Sequence, residues 1–288
     1  MSGTLEASAR SDTGMIRTVN EDSYIARTPV FIVADGMGGH ARGDKASQEA
    51  VRVFDERIAE GAVPTPDEVL DTVAAANAAV RALSAVDDSG AAVAGTTLTG
   101  VVLVRGGEAE TQHWMIVNVG DSRVYGWDGR TLTQLSVDHS AVQELLDAGA
   151  ITQEQAATHP ERNVITRALG AHDDVDVDVW LLPASGNQTF LVCSDGLCKE
   201  LTDEQIAEIL ANGESRTRDG DHPSRSVADL LVDAAVAAGG RDNVTAIVVE
   251  SQLGDDGSNP DATLDRATGR SVLLEDTRPR GSDPERGD

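Results

Sequence analysis

The sequence has 288 residues and is strongly acidic, with 49 Asp and Glu against 23 Lys and Arg and a formal net charge of −26. Hydrophobic residues make up 40% of the chain, which is enough to bury a core and excludes a fully disordered protein, while the negative charge argues against nucleic acid and anionic membranes as partners. Since no apolar run reaches the roughly 20 residues that span a bilayer and the N-terminus lacks the apolar core of a signal peptide, we expect a cytoplasmic protein with no membrane segment.

The predicted elements come in blocks of strands and blocks of helices. In chain order they are a strand at residues 30–34, helices at 44–58 and about 65–83, strands at 98–104 and 114–119, a short helix that ends at Gly149, a strand at 189–193, a helix capped at Thr202, a helix at 227–237 and a strand at 244–249. The strands are short β-branched runs, and the helices show apolar stripes, capping boxes or a C-terminal glycine. Because strict βαβ alternation is missing, this order predicts an α+β sandwich with a mostly antiparallel sheet.

Two regions depart from this pattern. Residues 140–170 carry the short helix and a polar stretch with Arg162 and Arg167, and we expect them to form an excursion from the sheets. Residues 251–288 are rich in Gly, Asp, Pro and Arg and predict a disordered acidic tail after a single domain at 1–250. The two cysteines, Cys193 and Cys198, are interpreted as core residues or free thiols rather than as a disulfide or a zinc pair.

The glycine-rich stretch FIVADGMGGHARGDKAS at residues 31–47 has two interpretations. Its central part, GMGGHA, matches the G-x-G-x-x-G/A fingerprint of dinucleotide-binding sites. That motif requires a second parallel strand after the helix, whereas here another helix follows and Glu56, at the appropriate spacing, lies within a helical stripe. Asp35 would also place a carboxylate against a pyrophosphate with no compensating cation. The dinucleotide interpretation is therefore disfavoured.

Carboxylates at the ends of several predicted strands favour a metal site instead. Asp35 ends VFIVAD, Asp121 follows WMIVNVG, Asp195 follows FLVCS, and Asp242 precedes NVTAIVV. Oxygen ligands from separate strand ends suit hard divalent cations such as Mg²⁺ and Mn²⁺. Gly36 lets the backbone turn sharply beside Asp35, so that a carbonyl oxygen can reach an ion.

Eight motifs surround these carboxylates and occur in a fixed order between about residues 9 and 250. They are SDTGMIRTVNEDS, ADGMGGHARGDKAS, GTTL, NVGDSRVY, LSVDHS, RALG, LVCSDGL and GGRDNVT. This series resembles the bacterial metal-dependent protein phosphatases of the type 2C (PPM) superfamily. The resemblance implies a four-layer α/β/β/α sandwich with two central antiparallel sheets and a dinuclear metal centre at one edge.

The resemblance also implies a ligand set for Mn²⁺ or Mg²⁺, with two ions and a third site. Asp35 corresponds to the carboxylate that bridges the two ions, and the Gly36 carbonyl lies beside the second ion. Either Glu21 or Asp22 is the other residue at the second ion. The remaining ligands are Asp195 and Asp242 at the first ion, and Asp121 together with Asp195 at the third.

Arg17 matches the phosphate-binding arginine of the family, and the alternative is a surface ion pair with Glu21 or Asp22.

Residues 140–170 correspond to the flap over the cleft. The arginines of this flap, Arg167 among them, either contact substrate or belong to a solvated surface. The general acid is left open, because some relatives have a histidine where this chain has Met37. In one alternative His40 donates a proton to the leaving oxygen, and in the other a metal-bound water donates it.

The remaining histidines, His139 included, are expected at the surface, although His139 lies within a family motif.

The implied activity is hydrolysis of phosphoserine and phosphothreonine by in-line attack of a metal-bridging hydroxide, without a phosphoenzyme. The implied partners are phosphorylated proteins and, by family analogy, a Ser/Thr protein kinase, and we expect a monomer. The alternative is a phosphatase-like module that binds phosphoproteins without turnover. The complete acidic set and Arg17 argue against that alternative.

Overall fold

The computed structural model describes residues 3–38, 42–87, 90–92, 94–106, 111–218 and 225–254. The strands in these ranges are β1 (Thr4–Asp12), β2 (Asp22–Arg27), β3 (Val30–Met37), β4 (Ala85–Asp87), β5 (Gly90–Ala92), β6 (Gly95–Thr96), β7 (Leu98–Gly106), β8 (Thr111–Val119), β9 (Arg123–Trp127), β10 (Leu132–Gln134), β11 (Asp178–Pro183), β12 (Gly186–Cys193) and β13 (Val244–Leu253). The helices are α1 (Gly43–Arg57), α2 (Pro66–Ala82), α3 (Ala141–Asp147), α4 (Gln153–Ala157), α5 (Asp195–Glu200), α6 (Asp203–Arg218) and α7 (Val227–Ala238).

Two antiparallel sheets form the centre of the fold. One sheet has the strand order β1-β13-β12-β9-β10, and the other has the order β11-β8-β7-β3-β2 with the short β6 paired to β3. The strands β4 and β5 form a separate hairpin. The neighbours of β3 all run antiparallel to it, so the parallel βαβ unit of a dinucleotide site does not form around the glycine-rich stretch.

Alternate residues of the inner strands serve different layers of the core. In β3, Ile32 and Ala34 pack with α1 and α2, whereas Phe31 and Val33 face the other sheet. The strand is therefore buried on both sides, which explains its nearly continuous run of apolar residues.

Aromatic rings fill the space between the two sheets. Trp114 of β8 contacts Phe190 of β12 edge-on, with ring centroids 5.3 Å apart, and Phe31 lies on the other side of Trp114. The outer face of the β12–β13 sheet is covered by α5, α6 and α7 through a second cluster that includes Leu197 and Leu231. The predicted four-layer α/β/β/α arrangement is confirmed.

Several boundaries differ from those expected from the sequence. β3 extends to Met37 because Gly36 and Met37 pair with β6, so Asp35 lies within a strand and not at its end. β13 extends to Leu253, so residues 251–253, which were assigned to the tail, belong to the sheet. The rest of the predicted tail, residues 255–288, lies outside the described residues.

Among the helices of the described ranges, none combines the length and the apolar character that crossing a membrane requires.

Gly100 of β7 pairs with Ile32 of β3, and the two backbones approach closely at this point. A Cβ at Gly100 would collide with the carbonyl oxygen of Phe31 and lie 2.8 Å from the Ile32 Cα. We expect Gly100→Ala to lower the free energy of unfolding by about 1–3 kcal/mol, because the β3–β7 pairing must shift. Urea unfolding measures this change.

The matched control is Gly106→Ala at the end of the same strand, where the nearest atom to a new Cβ is 3.9 Å away in Pro66. Its unfolding free energy should stay within about 0.5 kcal/mol of the wild-type value. Equal effects of the two substitutions would contradict this account of the β3–β7 contact.

Candidate metal centre

Two carboxylates from neighbouring strands form the centre of the site. Asp22 of β2 and Asp35 of β3 lie opposite each other in the antiparallel register. Like charges at directly opposed positions destabilise a sheet, so this pairing calls for a compensating positive charge.

A chain of hydroxyl groups fixes one oxygen of Asp22. The hydroxyls of Thr245 and Ser194 donate to Asp22 Oδ2 at 2.7 and 2.8 Å. Because the Thr245 proton is used in this way, Ser11 donates to Thr245 at 2.7 Å, and the Asn20 amide donates to Ser11 at 2.8 Å. Asp22 Oδ1 is buried with no hydrogen-bond partner among the described residues, which suits a cation ligand.

The backbone of Asp35 is held by the residues of the GTTL motif. The Asp35 amide donates to Thr97 Oγ1 at 2.9 Å, and the Thr97 amide donates to the Asp35 carbonyl at the same distance. The Thr96 hydroxyl also donates to that carbonyl at 2.9 Å. The carboxylate of Asp35 therefore projects from a rigid main chain. The sequence motif contained these two threonines, but no role was predicted for them.

Glycines bring Glu21 against the start of α1. The Gly36 amide donates to the Glu21 carbonyl at 3.0 Å. A Cβ at Gly36 would collide with the Gly43 carbonyl, and a Cβ at Gly43 would collide with the Glu21 carboxylate. The two glycines are thus required for this close approach of three chain segments.

Three further aspartates lie around these two. Asp195 begins α5 two residues after the end of β12, Asp242 precedes β13, and Asp121 lies between β8 of one sheet and β9 of the other. Asp195 Oδ1 and Asp121 Oδ1 are buried without a hydrogen-bond partner in the described part of the chain. The short helix α5, at the start of which the Asp195 side chain lies, was not predicted from the sequence.

Two cations lie among these carboxylates. Lys199 Nζ is 2.5 Å from Asp195 Oδ2 and 3.0 Å from Asp242 Oδ2. Arg17 Nη2 is 2.9 Å from Asp242 Oδ1, and its Nη1 is 3.9 Å from Glu21. The side chain of Arg17 is 47% exposed at the rim of the acidic centre, where it forms an ion pair with Asp242.

Burial and mutual repulsion disfavour full ionisation of the site. Burial raises the pKa of Asp35 well above its usual value, and the charges of Asp22 and Asp195 raise it further. Burial also raises the pKa of Asp22 to about 7 and that of Asp121 to about 7. Burial alone would lower the pKa of Lys199, but the charges of the neighbouring aspartates raise it above its ordinary value.

The donor set fits divalent cations. All the side-chain donors are carboxylate oxygens, and three of them are buried without a partner in the described ranges. Among the described residues, no three acidic, histidine or cysteine side chains already enclose a common point in the geometry of a bound ion. Lys199 pairs with Asp195 and Asp242, and Arg17 pairs with Asp242 and lies near Glu21.

Asn243 holds the loop that carries Arg17. Its amide donates to the carbonyls of Thr13 and Val19, each at 3.0 Å, and its side-chain oxygen accepts from the Glu21 amide at 2.9 Å. The motif GGRDNVT contains this residue, but the sequence analysis gave it no role.

Arg167 of the flap and His139, which directly precedes the flap, share a partner. Arg167 donates to Asp178 Oδ1 at 2.9 Å, and His139 Nε2 donates to Asp178 Oδ2 at 3.2 Å. His139 is 5% exposed, and its Nδ1 accepts from the Gly120 amide at 3.1 Å. The expectation that His139 is a surface residue was wrong, because its ring packs beneath the flap, where it is hydrogen-bonded on both sides.

A cleft of about 810 Å³ opens beside the aspartates. On the flap side Arg162 and Asn163 line it, and Arg167 is not among the lining residues. The thiols of Cys193 and Cys198 are free and 3.8 Å apart, and Cys198 reaches the cleft wall. His40 lies outside the described residues, so its role as general acid stays a prediction.

Comparisons with known proteins identify the family of this chain. Residues 17–232 match the protein phosphatase 2C family. The serine/threonine phosphatase Stp of Listeria monocytogenes is 37% identical over 261 residues, a match that covers 86% of this chain and 97% of that protein.

Solved structures give the same result. The crystal structure of the Mycobacterium tuberculosis serine/threonine phosphatase PstP matches with a TM-score of 0.69 and 35% identity, over 87% of this chain and 99% of that one. The PstP catalytic domain in complex with two manganese ions matches with a TM-score of 0.70 and 33% identity, over 87% of this chain and all of that one.

Thr245→Val removes one of the two hydroxyls that orient Asp22. We expect it to weaken Mn²⁺ binding by about 10- to 100-fold, the usual effect of removing an outer hydrogen bond to a metal ligand. Isothermal titration calorimetry on protein freed of metal measures the affinity. Thr99→Val is the matched control, since Thr99 is also buried in a strand but bonds only weakly to the Val117 carbonyl, at 3.4 Å. Equal affinities of the two variants would show that the hydroxyl chain does not orient Asp22.

Proposed function

Because this chain belongs to the protein phosphatase 2C family, we propose that the acidic centre where its two sheets meet is its catalytic site. The protein is a metal-dependent phosphatase that acts on phosphoserine and phosphothreonine in proteins. The PstP catalytic domain has been solved with two manganese ions, and Mn²⁺ or Mg²⁺ is the cofactor here. A third ion at Asp121 and Asp195 is part of the proposal.

The observation that carries this assignment is the set of buried, unpartnered carboxylate oxygens. Asp22 comes from one sheet, Asp121 lies between a strand of each sheet, and Asp195 lies two residues after the end of β12 in the other sheet. A pseudoenzyme would not need to keep buried negative charges that cost stability without a cation. The site therefore favours an active enzyme over a phosphoprotein-binding module.

The proposed ligands keep the roles that the family resemblance implies. Asp35 would be a ligand of both ions, and the Gly36 carbonyl with either Glu21 or Asp22 would hold the second. Asp22 is supported by its free Oδ1, and Glu21 by its position against both glycines. Asp195 and Asp242 hold the first ion.

The cations and the residues of this chain have separate roles in the proposed reaction. When bound, the cations lower the pKa of a water molecule and neutralise the charge that develops on the phosphoryl oxygens. Arg17 binds the phosphate through paired, charge-assisted hydrogen bonds, for which its planar guanidinium is well shaped. Water attacks in line and the bond from phosphorus to the Ser or Thr oxygen breaks, so no phosphoenzyme forms. The leaving oxygen takes its proton from His40 or from water.

The partners follow from this chemistry. Phosphorylated proteins are the substrates, and a Ser/Thr protein kinase must produce them, so we propose such a kinase as a partner. We further propose that the protein acts as a cytoplasmic monomer through one domain at 1–250, with residues 251–288 as a disordered tail. Within the flap, Arg162 lines the cleft, and this position supports a role as a substrate contact. Arg167 is the flap residue that the sequence predicts to bind substrate, and its pair with Asp178 supports a positioning role there.

Asp35→Ala should lower the rate of phosphothreonine peptide hydrolysis with Mn²⁺ by at least about 100-fold, the order lost when one electrostatic stabiliser of a transition state is removed. EDTA should lower the rate of the wild-type protein similarly. Asp55→Ala, which removes an exposed carboxylate that pairs with Arg27, is the control and should keep the wild-type rate. A wild-type protein no faster than Asp35→Ala would contradict the catalytic assignment.

Arg17→Ala should raise the KM for the peptide by about 10- to 100-fold, since charge-assisted hydrogen bonds to the phosphate are lost. Calorimetry should show Mn²⁺ bound no more weakly than by the wild type, because Arg17 is not a metal ligand. Arg52→Ala on the exposed face of α1 serves as the control. An unchanged KM would assign Arg17 to a surface ion pair with Glu21 and Asp242.

A further inference from the structure

Lysine is rare in this chain, and one of its lysines lies at the acidic centre. The sequence contains 21 arginines but only two lysines, Lys45 and Lys199. Lys45 is exposed in the first turn of α1. Lys199 lies four residues after Asp195 in α5, which brings the two side chains to the same face of the helix.

Lys199 bridges two carboxylates that come from different segments. Its Nζ is 2.5 Å from Asp195 Oδ2 and 3.0 Å from Asp242 Oδ2. A compact ammonium group with three donors suits this position between two carboxylates better than a planar guanidinium does. The bridge connects the start of α5 with the residue that precedes β13.

Both oxygens of Asp242 are already engaged. Oδ1 accepts from Arg17 at 2.9 Å and from the Asn243 amide at 3.0 Å, while Oδ2 accepts from Lys199. A divalent ion that binds the remaining lone pair of Oδ2 would lie beside the Lys199 ammonium, and repulsion between the two cations would weaken one or both contacts. Asp195 differs, because its Oδ1 is buried and unpartnered within the described residues.

We propose that Lys199 is a resident cation of the metal centre, which holds Asp195 and Asp242 together in the metal-free protein and competes with the first divalent ion for them. Lys199 is then a positioning residue that sets the metal affinity of the enzyme. The inference rests on the proposed assignment of Asp195 and Asp242 as metal ligands.

Lys199→Met keeps the length of the side chain and removes its charge. Titration of the metal-free variant with Mn²⁺ should show binding about tenfold tighter than in the wild type, because a unit positive charge a few ångströms away no longer opposes the ion. The melting temperature of the metal-free variant should fall, because the repulsion between the two carboxylates is then no longer offset by the charge of Lys199. We therefore expect Lys199→Met to raise the metal affinity and to lower the stability of the metal-free protein.

Two further variants complete the series. Lys199→Arg keeps the charge and should bind Mn²⁺ nearly as the wild type does. Lys45→Met removes the other lysine and should change neither the affinity nor the melting temperature. If Lys199→Met binds Mn²⁺ with unchanged or weaker affinity, the competition is refuted.

The wild-type protein provides a test that needs no substitution at Lys199. Protein labelled with ¹³C at the lysine Cε positions should give two lysine signals, and Lys45→Met identifies one of them. Titration with Mg²⁺ should shift the Lys199 signal and leave the Lys45 signal in place, because the ion disturbs the bridge. A Lys199 signal that stays fixed while calorimetry shows Mg²⁺ binding would overturn the proposal.

The same titrations distinguish a failure of the proposed metal centre from a failure of the proposed role of Lys199. A wild-type protein that binds neither Mn²⁺ nor Mg²⁺ would overturn the proposed metal centre and, with it, the role of Lys199. Metal binding that is normal in the wild type and equal in Lys199→Met would overturn the role of Lys199 alone.

Discussion

Repulsion among the carboxylates that meet at one edge of the sandwich is the constraint on which the rest of this structure depends. Asp22 and Asp35 face each other across two strands, and the aspartates of the other sheet raise the pKa of Asp35 further. Such an arrangement lowers the stability of the metal-free protein, so the surrounding fold has to supply the missing free energy. It does so with rigid strands buried on both faces and with cations at the rim of the site.

The supporting residues are small and polar, and they work across the boundary between the two sheets. Thr245 and Ser194 belong to the β12–β13 region, yet their hydroxyls orient Asp22 of the opposite sheet. Thr96 and Thr97 hold the backbone of Asp35 in a comparable way. Packing of Trp114 against Phe190 fixes the distance between the sheets, and the hydroxyl groups can span it only because that distance is fixed.

Strong periodic patterns allowed much of the fold to be predicted from the sequence. Most inner strands and the long helices have apolar runs or stripes, so the pattern predicted an α+β sandwich, and four aspartates beside the strands predicted a metal site. The order of the four layers and the remaining ligand candidates came from the family resemblance. The edge strands β1, β2, β10 and β11 were missed because they are polar or only partly buried. The burial of His139 and the role of Thr245 were missed as well, since both depend on contacts with residues far away in the chain.

Residues 242–245, which enter β13, serve both halves of the site. Asp242 lies with Lys199 and Arg17, Asn243 holds the loop that presents Arg17, and Thr245 orients Asp22. In the proposed site, metal binding and phosphate binding therefore both depend on this short segment. Any sliding of β13 against its neighbours would misalign all these groups at once, so the proposed site could not adjust its contacts with the ions separately from its contacts with the substrate.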